Sequence, residues 1–295
     1  MSTFIAAIGF GIASGAVIAL ASLGFTLQFG LSNTLNIAYG GFVTLAAFLG
    51  YGLIVLGVGV WLTMAVIAVV TGILSVLYYR LFIRGLLRRS VGLGPIAIAT
   101  AAALIFIDYA IVAVAGTDVK SYGLTTGRTL HLWYFVWSST QVAIIVLALA
   151  LMAAFQALLH FTQLGRALRA TAVNRTLARS CGIRAERITS FAWLVSGLLC
   201  GIAGVALAMT TQAFDFNLGS TFLILIIAAA VVGGIGEPYG AIAGGFLIGV
   251  TTELSAAYWS PAYSDVIAFA LLILALLARP TGILGGQARR RNVVM

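Results

Sequence analysis

An all-α integral membrane fold follows from three observations: the composition, the length of the apolar runs and the placement of the charges. Of 295 residues, 62% are hydrophobic and only 8% charged, against about a quarter charged in soluble domains. A water-soluble fold cannot hide that much apolar surface. Crossing a hydrocarbon core takes roughly 20 apolar residues per helix, and the runs show none of the alternation that marks membrane strands. The expected architecture is one transmembrane domain over 1–295, with about eight or nine transmembrane helices, two broken or re-entrant segments and pseudo-repeated halves.

In chain order the apolar runs are 4–29, 40–58, 61–79, 95–115, 132–161, 188–210, 221–235, 241–258 and 261–278. The first has no basic leader and is too long for a cleaved signal, so it reads as the first membrane helix. Gly11 with Gly15 and Gly197 with Gly201 are small residues at helical spacing, which let two helices approach closely. Strands are not expected anywhere in these runs.

The net charge of +9 would suggest nucleic acid in a soluble chain, but here the charges lie beside the apolar runs. Apart from Lys120 and Arg128, the basic residues form three clusters: Arg80, Arg84, Arg88 and Arg89; Arg166, Arg169, Arg175, Arg179, Arg184 and Arg187; and Arg279, Arg289, Arg290 and Arg291. An even number of runs separates successive clusters, so all three fall on one face. The positive-inside rule makes that face cytoplasmic, with the C-terminus inside and the N-terminus outside. The loops 116–130 and 211–220 then face outward.

Two stretches interrupt the apolar pattern at membrane depth. One is Ser32-Asn33-Thr34-Leu35-Asn36-Ile37-Ala38-Tyr39-Gly40-Gly41, the other Gly233-Gly234-Ile235-Gly236-Glu237-Pro238-Tyr239-Gly240. Proline lacks an amide donor and glycine accepts unusual dihedrals, so each stretch should end one helix and begin another. Paired helix breaks in the two halves of a transporter present free backbone ends to a solute, which makes Asn33, Asn36, Tyr39, Gly40, Gly41, Gly233, Gly234, Gly236 and Glu237 candidates for a translocation pathway. Ordinary turns outside the bilayer are the alternative, above all for 233–240.

Asp108 and Glu253 are acids inside apolar runs, where charge is costly and functional by default; both lie near the expected outer ends, so solvated placement is equally open. Cys181, Cys200, His131 and His160 have no companions at metal-ligand or disulfide spacing, and no metal site is expected. Segment 162–187 carries Leu164, Leu168 and Ala172 at four-residue steps, with Arg166, Arg169, Arg175 and Arg179 elsewhere, a pattern of short amphipathic helices. Gly182 is placed to stop one of them. A solvated basic loop and a helix that inserts its apolar face into a cytoplasmic partner both satisfy this pattern. No phosphate-binding loop of the Gly-x-x-x-x-Gly-Lys-Ser/Thr kind is present, so the chain binds no nucleotide of its own.

Several stretches carry a likeness to a known family. They are Gly24-Phe25-Thr26-Leu27-Gln28-Phe29-Gly30 leading into Leu35-Asn36-Ile37-Ala38-Tyr39-Gly40; Gly165-Arg166-Ala167-Leu168-Arg169-Ala170-Thr171-Ala172 followed by Gly182-Ile183; Gly233-Gly234-Ile235-Gly236 with Gly240-Ala241; Ser260-Pro261-Ala262-Tyr263; and Arg279-Pro280-Thr281-Gly282-Ile283-Leu284-Gly285. In this order, over nearly the whole chain, they resemble the permease subunits of branched-chain amino-acid ABC importers. The resemblance implies a second related permease subunit, two cytoplasmic ATPase subunits that use ATP and Mg, an external solute-binding protein and a bacterial inner-membrane location. It makes 162–187 the ATPase-coupling element, with Arg166, Arg169, Ala172, Arg175, Arg179, Gly182 and Ile183 as its candidate residues. The sequence departs from the family where Tyr39 replaces a usual histidine, Gly41 stands where an acid is common and Glu237-Pro238-Tyr239 replaces a Ser-x-Pro run. The solute is therefore left among branched-chain amino acids, amides and urea. An ion-coupled secondary transporter using Asp108 and Glu253 is the alternative, as is a facilitative channel.

Overall fold

The computed structural model describes residues 2–89, 92–123, 129–132, 135–279 and 282–283. Within them lie α1 (Ser2–Ser32), α2 (Tyr39–Val55), α3 (Val60–Tyr78), α4 (Arg84–Arg88), α5 (Leu93–Ala115), β1 (Thr129–Leu132), β2 (Phe135–Ser138), α6 (Ser139–Phe161), α7 (Gln163–Val173), α8 (Arg175–Ser180), α9 (Ala185–Thr211), α10 (Leu218–Gly233), α11 (Pro238–Tyr258) and α12 (Ser264–Ala278). Six helical stretches are long and apolar enough to cross a membrane, and three further apolar helices, α2, α10 and α12, are shorter. The chain is a multi-pass, all-helical membrane protein apart from one small hairpin.

Two local expectations fail for physical reasons. The run beginning at 132 is not helical at its start, because β1 and β2 pair antiparallel, Thr129 opposite Ser138 and Leu132 opposite Phe135. Helix α6 begins only where Ser138 caps it: its hydroxyl accepts from Gln141 N–H while the Gln141 side chain accepts from Ser138 N–H, a reciprocal capping box. The third run also extends further than its apolar pattern, since α3 continues through a π-helical turn, Tyr79–Ile83, into α4. That turn directs Tyr79 and Ile83 inward, where Tyr79 stacks on Trp193 of α9 with ring centroids 5.1 Å apart. Arg80, Arg84 and Arg88 consequently sit on a helical extension of a span rather than in a loop. Arg289, Arg290 and Arg291 lie outside the described residues.

Small residues set the core. Helix α1 packs antiparallel along α11 with its backbone almost touching: a Cβ on Gly249 would lie 2.2 Å from Gly15 Cα, and one on Gly245 would lie 2.3 Å from Ala19 Cα. On the opposite flank α9 packs on α3, where a Cβ on Gly201 would meet Ala68 Cα at 2.9 Å. Both small-residue pairs read from the sequence are thus helix-packing faces, the close approach that membrane helices use where no hydrophobic drive separates helix from lipid.

Helices α1 and α9 cross antiparallel at the centre of the bundle, with the Ser196 hydroxyl donating to the Gly24 carbonyl at 2.6 Å. Each ends the same way. The residue after α1 is Asn33 (φ 49°) and the residue after α9 is Gln212 (φ 60°), the two non-glycine positive-φ residues among those described. Each is followed by a non-helical stretch of equal length, 33–38 and 212–217, and then by one of the shorter helices, α2 or α10.

Candidate functional site

The first break, 33–38, folds back along the end of α1, and side chains satisfy its backbone. Thr100 of α5 accepts from Ile37 N–H and lies within donating distance of the Leu35 carbonyl, both at 3.2 Å. The Asn36 amide donates to Gln28 Oε1 at 2.9 Å, and Ser75 of α3 donates to the Trp193 carbonyl at 2.9 Å beside the Gln28 amide. Non-helical backbone inside a membrane bundle is stable only where such partners replace the missing helix bonds.

Tyr39 then opens α2 in a fully packed position. Its hydroxyl donates to the Ala21 carbonyl at 2.9 Å, and its own carbonyl faces the Cys200 thiol at 3.8 Å. Because Cys200 lies in the middle of α9, α2 starts level with the middle of that helix. Helix α10 starts at the same level: Gly219 packs directly on Gly40, and a Cβ on Gly219 would fall 2.0 Å from the Gly40 carbonyl oxygen. Gly219 N–H donates to Thr44 of α2 at 3.0 Å, and the Ser220 hydroxyl donates to Asp108 of α5 at 2.7 Å. Neither helix start carries a side-chain cap from its own preceding residue, so the two positive helix ends converge inside the bundle. Gly41 packs beside this junction against Leu104 and Ile107 of α5.

The break at 233–240 has a different place. Gly234 (φ 115°) and Gly236 (φ 91°) make a tight turn between α10 and α11, closed by Pro238 at the first helical position of α11. Gly233 and Gly240 touch backbone to backbone, and Ile283 N–H donates to the Val232 carbonyl at 2.9 Å. Gly236 of the turn lies near Gly30 in the last turn of α1, where a Cβ would fall 3.7 Å from Gly236 Cα, and Glu237 is half-buried in the turn. The segment that mirrors 33–38 is 212–217, not 233–240. The sequence missed this partner because Gln212 to Asn217 reads as an ordinary polar outer loop, and the Gly40–Gly219 contact arises only in the tertiary fold.

The basic segment forms two short helices. Thr162 caps α7 by accepting from Gly165 N–H, and Asn174 caps α8 by accepting from Thr176 and Leu177 N–H. Gly182 (φ 81°) ends α8: its N–H reaches the Arg179 carbonyl and Ile183 N–H reaches the Ala178 carbonyl, a Schellman closure that favours glycine. The buried stripe is Gly165, Leu168 and Thr171, whereas Leu164 and Ala172 face out, so the expected apolar stripe is out of phase. Arg166, Arg169 and Arg179 are exposed and Arg175 half-buried. Glu186, at the start of α9, ties this element to the end of α4. It pairs with Arg84 at close range, with Arg88 at 3.6 Å and with Arg179 at 3.9 Å.

Residues 7–276 match the family described as "Branched-chain amino acid transport system / permease component". The chain belongs to that family. The permease is 31% identical to the high-affinity branched-chain amino acid transport system permease protein LivH of Escherichia coli K12 over 288 residues, 93% of each chain. It is 30% identical over 290 residues to the probable branched-chain amino acid transport permease protein LivH of Methanocaldococcus jannaschii, 91% of this chain and 89% of that one. Over 150 residues, 51% of the permease and 49% of its relative, it is 37% identical to the permease protein BraD of Pseudomonas aeruginosa. No solved structure matches the permease.

The two intramembrane acids of the permease differ in setting. Asp108 is buried and held by Ser220. Glu253 is half-buried on α11, within reach of Ser14 on α1. Among the described residues no cluster of His, Cys, Asp and Glu could hold a metal ion.

Proposed function

We propose that this permease moves a branched-chain amino acid, or a related small amino acid, amide or urea, through the membrane as one subunit of an ATP-driven importer. The observation that carries the reading is the convergence of two broken crossings on the Gly40–Gly219 contact. In this reading 33–55 and 212–233 each cross the bilayer as an extended half followed by a helical half, and α1, α3 with α4, α5, α6, α9, α11 and α12 cross whole. The two long helices that precede the breaks run antiparallel, so the halves form an inverted pseudo-repeat, the layout in which transporters place substrate between half-helix ends. The N-terminus is outside and the C-terminus cytoplasmic, in a bacterial inner membrane. Asn33, Asn36, Tyr39, Gly40, Gly41, Gly233, Gly234, Gly236 and Glu237 are the proposed pathway residues; those at the first break act near the junction, those at the second near its cytoplasmic exit.

Partner subunits supply energy and capture: a second related permease, two cytoplasmic ATPases using ATP and Mg, and an external solute-binding protein. Leu164, Val173 and Leu177 are exposed apolar side chains on α7 and α8, which suits docking into an ATPase groove. Arg166, Arg169, Ala172, Arg175, Arg179, Gly182 and Ile183 would form the coupling element, and Glu186 would carry its displacement to α4 and α9. A ligand-linked equilibrium shifts only through differential binding to its states, so ATPase closure must favour one facing of the junction.

Affinity purification of the tagged chain in mild detergent, followed by mass spectrometry and an ATPase assay, tests the reading. Recovery of a second permease and ATPases, with hydrolysis stimulated by a loaded binding protein, is expected. Recovery of the chain alone, still moving solute in liposomes, would overturn it.

A further inference from the structure

At the outer end of the second broken crossing, segment 212–217 and one face of α10 enclose a recess of about 340 Å³. Leu207, Phe214, Leu218, Phe222 and Leu225 supply apolar walls, and Asp215 is the ionisable residue among the lining side chains. The volume falls within the range of small-molecule sites, which combine apolar walls with a few placed polar groups.

The walls are fixed in place. Phe214 is clamped edge-on between Phe48 and Tyr122, each 5.3 Å away between ring centroids. Its backbone exchanges two hydrogen bonds of 2.9 Å with Lys120, and the Tyr122 hydroxyl donates to the Ala47 carbonyl at 2.9 Å. Asp215 accepts from Asn217 N–H at 3.1 Å, which orients its carboxylate. Among the described residues no basic side chain reaches ion-pair distance of Asp215, while the ammonium of Lys120 is engaged by Asp118 at 3.5 Å.

We propose that this recess is an outer solute subsite of the permease, binding a small aliphatic molecule with a protonated amine, its ammonium on Asp215 and its hydrocarbon body against Phe222, Leu225 and Leu207. Among the described residues the carboxylate has no cation partner, and the walls are apolar apart from the hydroxyls of Thr211 and Thr221, a complementarity for an amine carried on a short branched chain. A salt bridge to a docking protein would need the carboxylate at the rim but not the apolar recess beneath it. Leu218 lines the recess and precedes Gly219, so an occupant sits at the mouth of the Gly40–Gly219 junction. The assignment rests on the reading that the permease passes a small aliphatic solute.

The test uses the transporter assembled with its partner subunits in nanodiscs and proteoliposomes. Equilibrium binding of radiolabelled 3-methylbutylamine reads the recess directly and needs no transport. Wild-type binding should weaken about ten-fold or more in Asp215→Asn, the loss expected for a charge-assisted hydrogen bond, less in Asp215→Glu, and comparably in Leu225→Trp, which fills the recess. 4-Methylpentanoate, the same body without the amine, should not compete. Equal amine binding in wild type and Asp215→Asn overturns the subsite, and so does an unchanged amine affinity accompanied by weaker docking of the binding protein, which would make Asp215 a docking residue. Uptake of L-leucine by the wild type is scored separately: its absence with amine binding intact overturns the transport reading and leaves the subsite standing.

Discussion

Ser220 of α10 donates to the buried carboxylate of Asp108 on α5, Oγ to Oδ2 2.7 Å, beside the Gly40–Gly219 contact. An acid in this place is spent on holding a helix start, which argues against its use as a freely titrating coupling residue. Replacing Asp108 with Asn keeps an acceptor for Ser220 and should leave the protein folded with uptake largely retained. Replacing it with Leu strands the Ser220 hydroxyl and should cost about 1–3 kcal/mol of stability. Thermal unfolding of the purified protein in detergent separates the two, and equal melting temperatures for Asn and Leu would refute the role.

The Gly40–Gly219 junction has no room for a methyl group. A Cβ at Gly219 would fall 2.0 Å from the Gly40 carbonyl, and one at Gly40 would fall 2.7 Å from the Gly219 carbonyl. Backbone must therefore move in either alanine variant, at an overpacking cost of about 1–3 kcal/mol, with Gly219→Ala the more severe. Gly52, also in α2, is open on its side-chain face: a Cβ there would meet no heavy atom within 4 Å, so Gly52→Ala should be neutral or slightly stabilising. Limited proteolysis of the three variants checks the order.

How much of this was readable depends on whether the signal was local. Each of the nine apolar runs contains an apolar helix, and the first break could be read because Asn33, Asn36 and the Gly40-Gly41 pair interrupt an apolar stretch. Gly182 was readable for a similar reason, since a glycine after a short amphipathic run is the usual helix stop. The partner break at 212–217 was not readable, because polar residues after a span carry no information about depth. Nor was the phase of α7: its buried stripe includes Gly165, where a Cβ would lie 2.2 Å from the Leu159 carbonyl, and a residue without a side chain is invisible to an apolar-stripe argument. The recess over Phe214 depends on Lys120, Phe48 and Tyr122 converging from separate segments, a relationship that no spacing encodes.

Glu186 links three arginines on two elements, α4 and α8, yet its side chain is 42% exposed, so solvent screens these pairs. Glu186→Gln should change stability by less than about 1 kcal/mol. Its effect should appear in coupling: with the ATPase partners present, ATP hydrolysed per solute moved should rise, because α7 and α8 lose their tie to α4. A parallel loss of ATPase activity and uptake, with their ratio unchanged, would assign Glu186 to assembly instead.

Thr100 holds the first break from α5 by facing the Ile37 amide and the Leu35 carbonyl, each at 3.2 Å. Valine has nearly the same shape but can neither accept nor donate, so Thr100→Val leaves the Ile37 amide without its partner inside an apolar bundle. The expected cost is about 1–3 kcal/mol, and because the amides of 34–38 make no helical hydrogen bonds, the loss should be local. Hydrogen exchange is the suitable readout: amides at 35–38 should exchange faster in Thr100→Val while those of α1 and α9 keep their protection. Thr100→Ser, which retains the hydroxyl, should restore most of it. Uniform loss of protection across the bundle would instead make Thr100 a general packing residue and remove the argument that α5 controls the break.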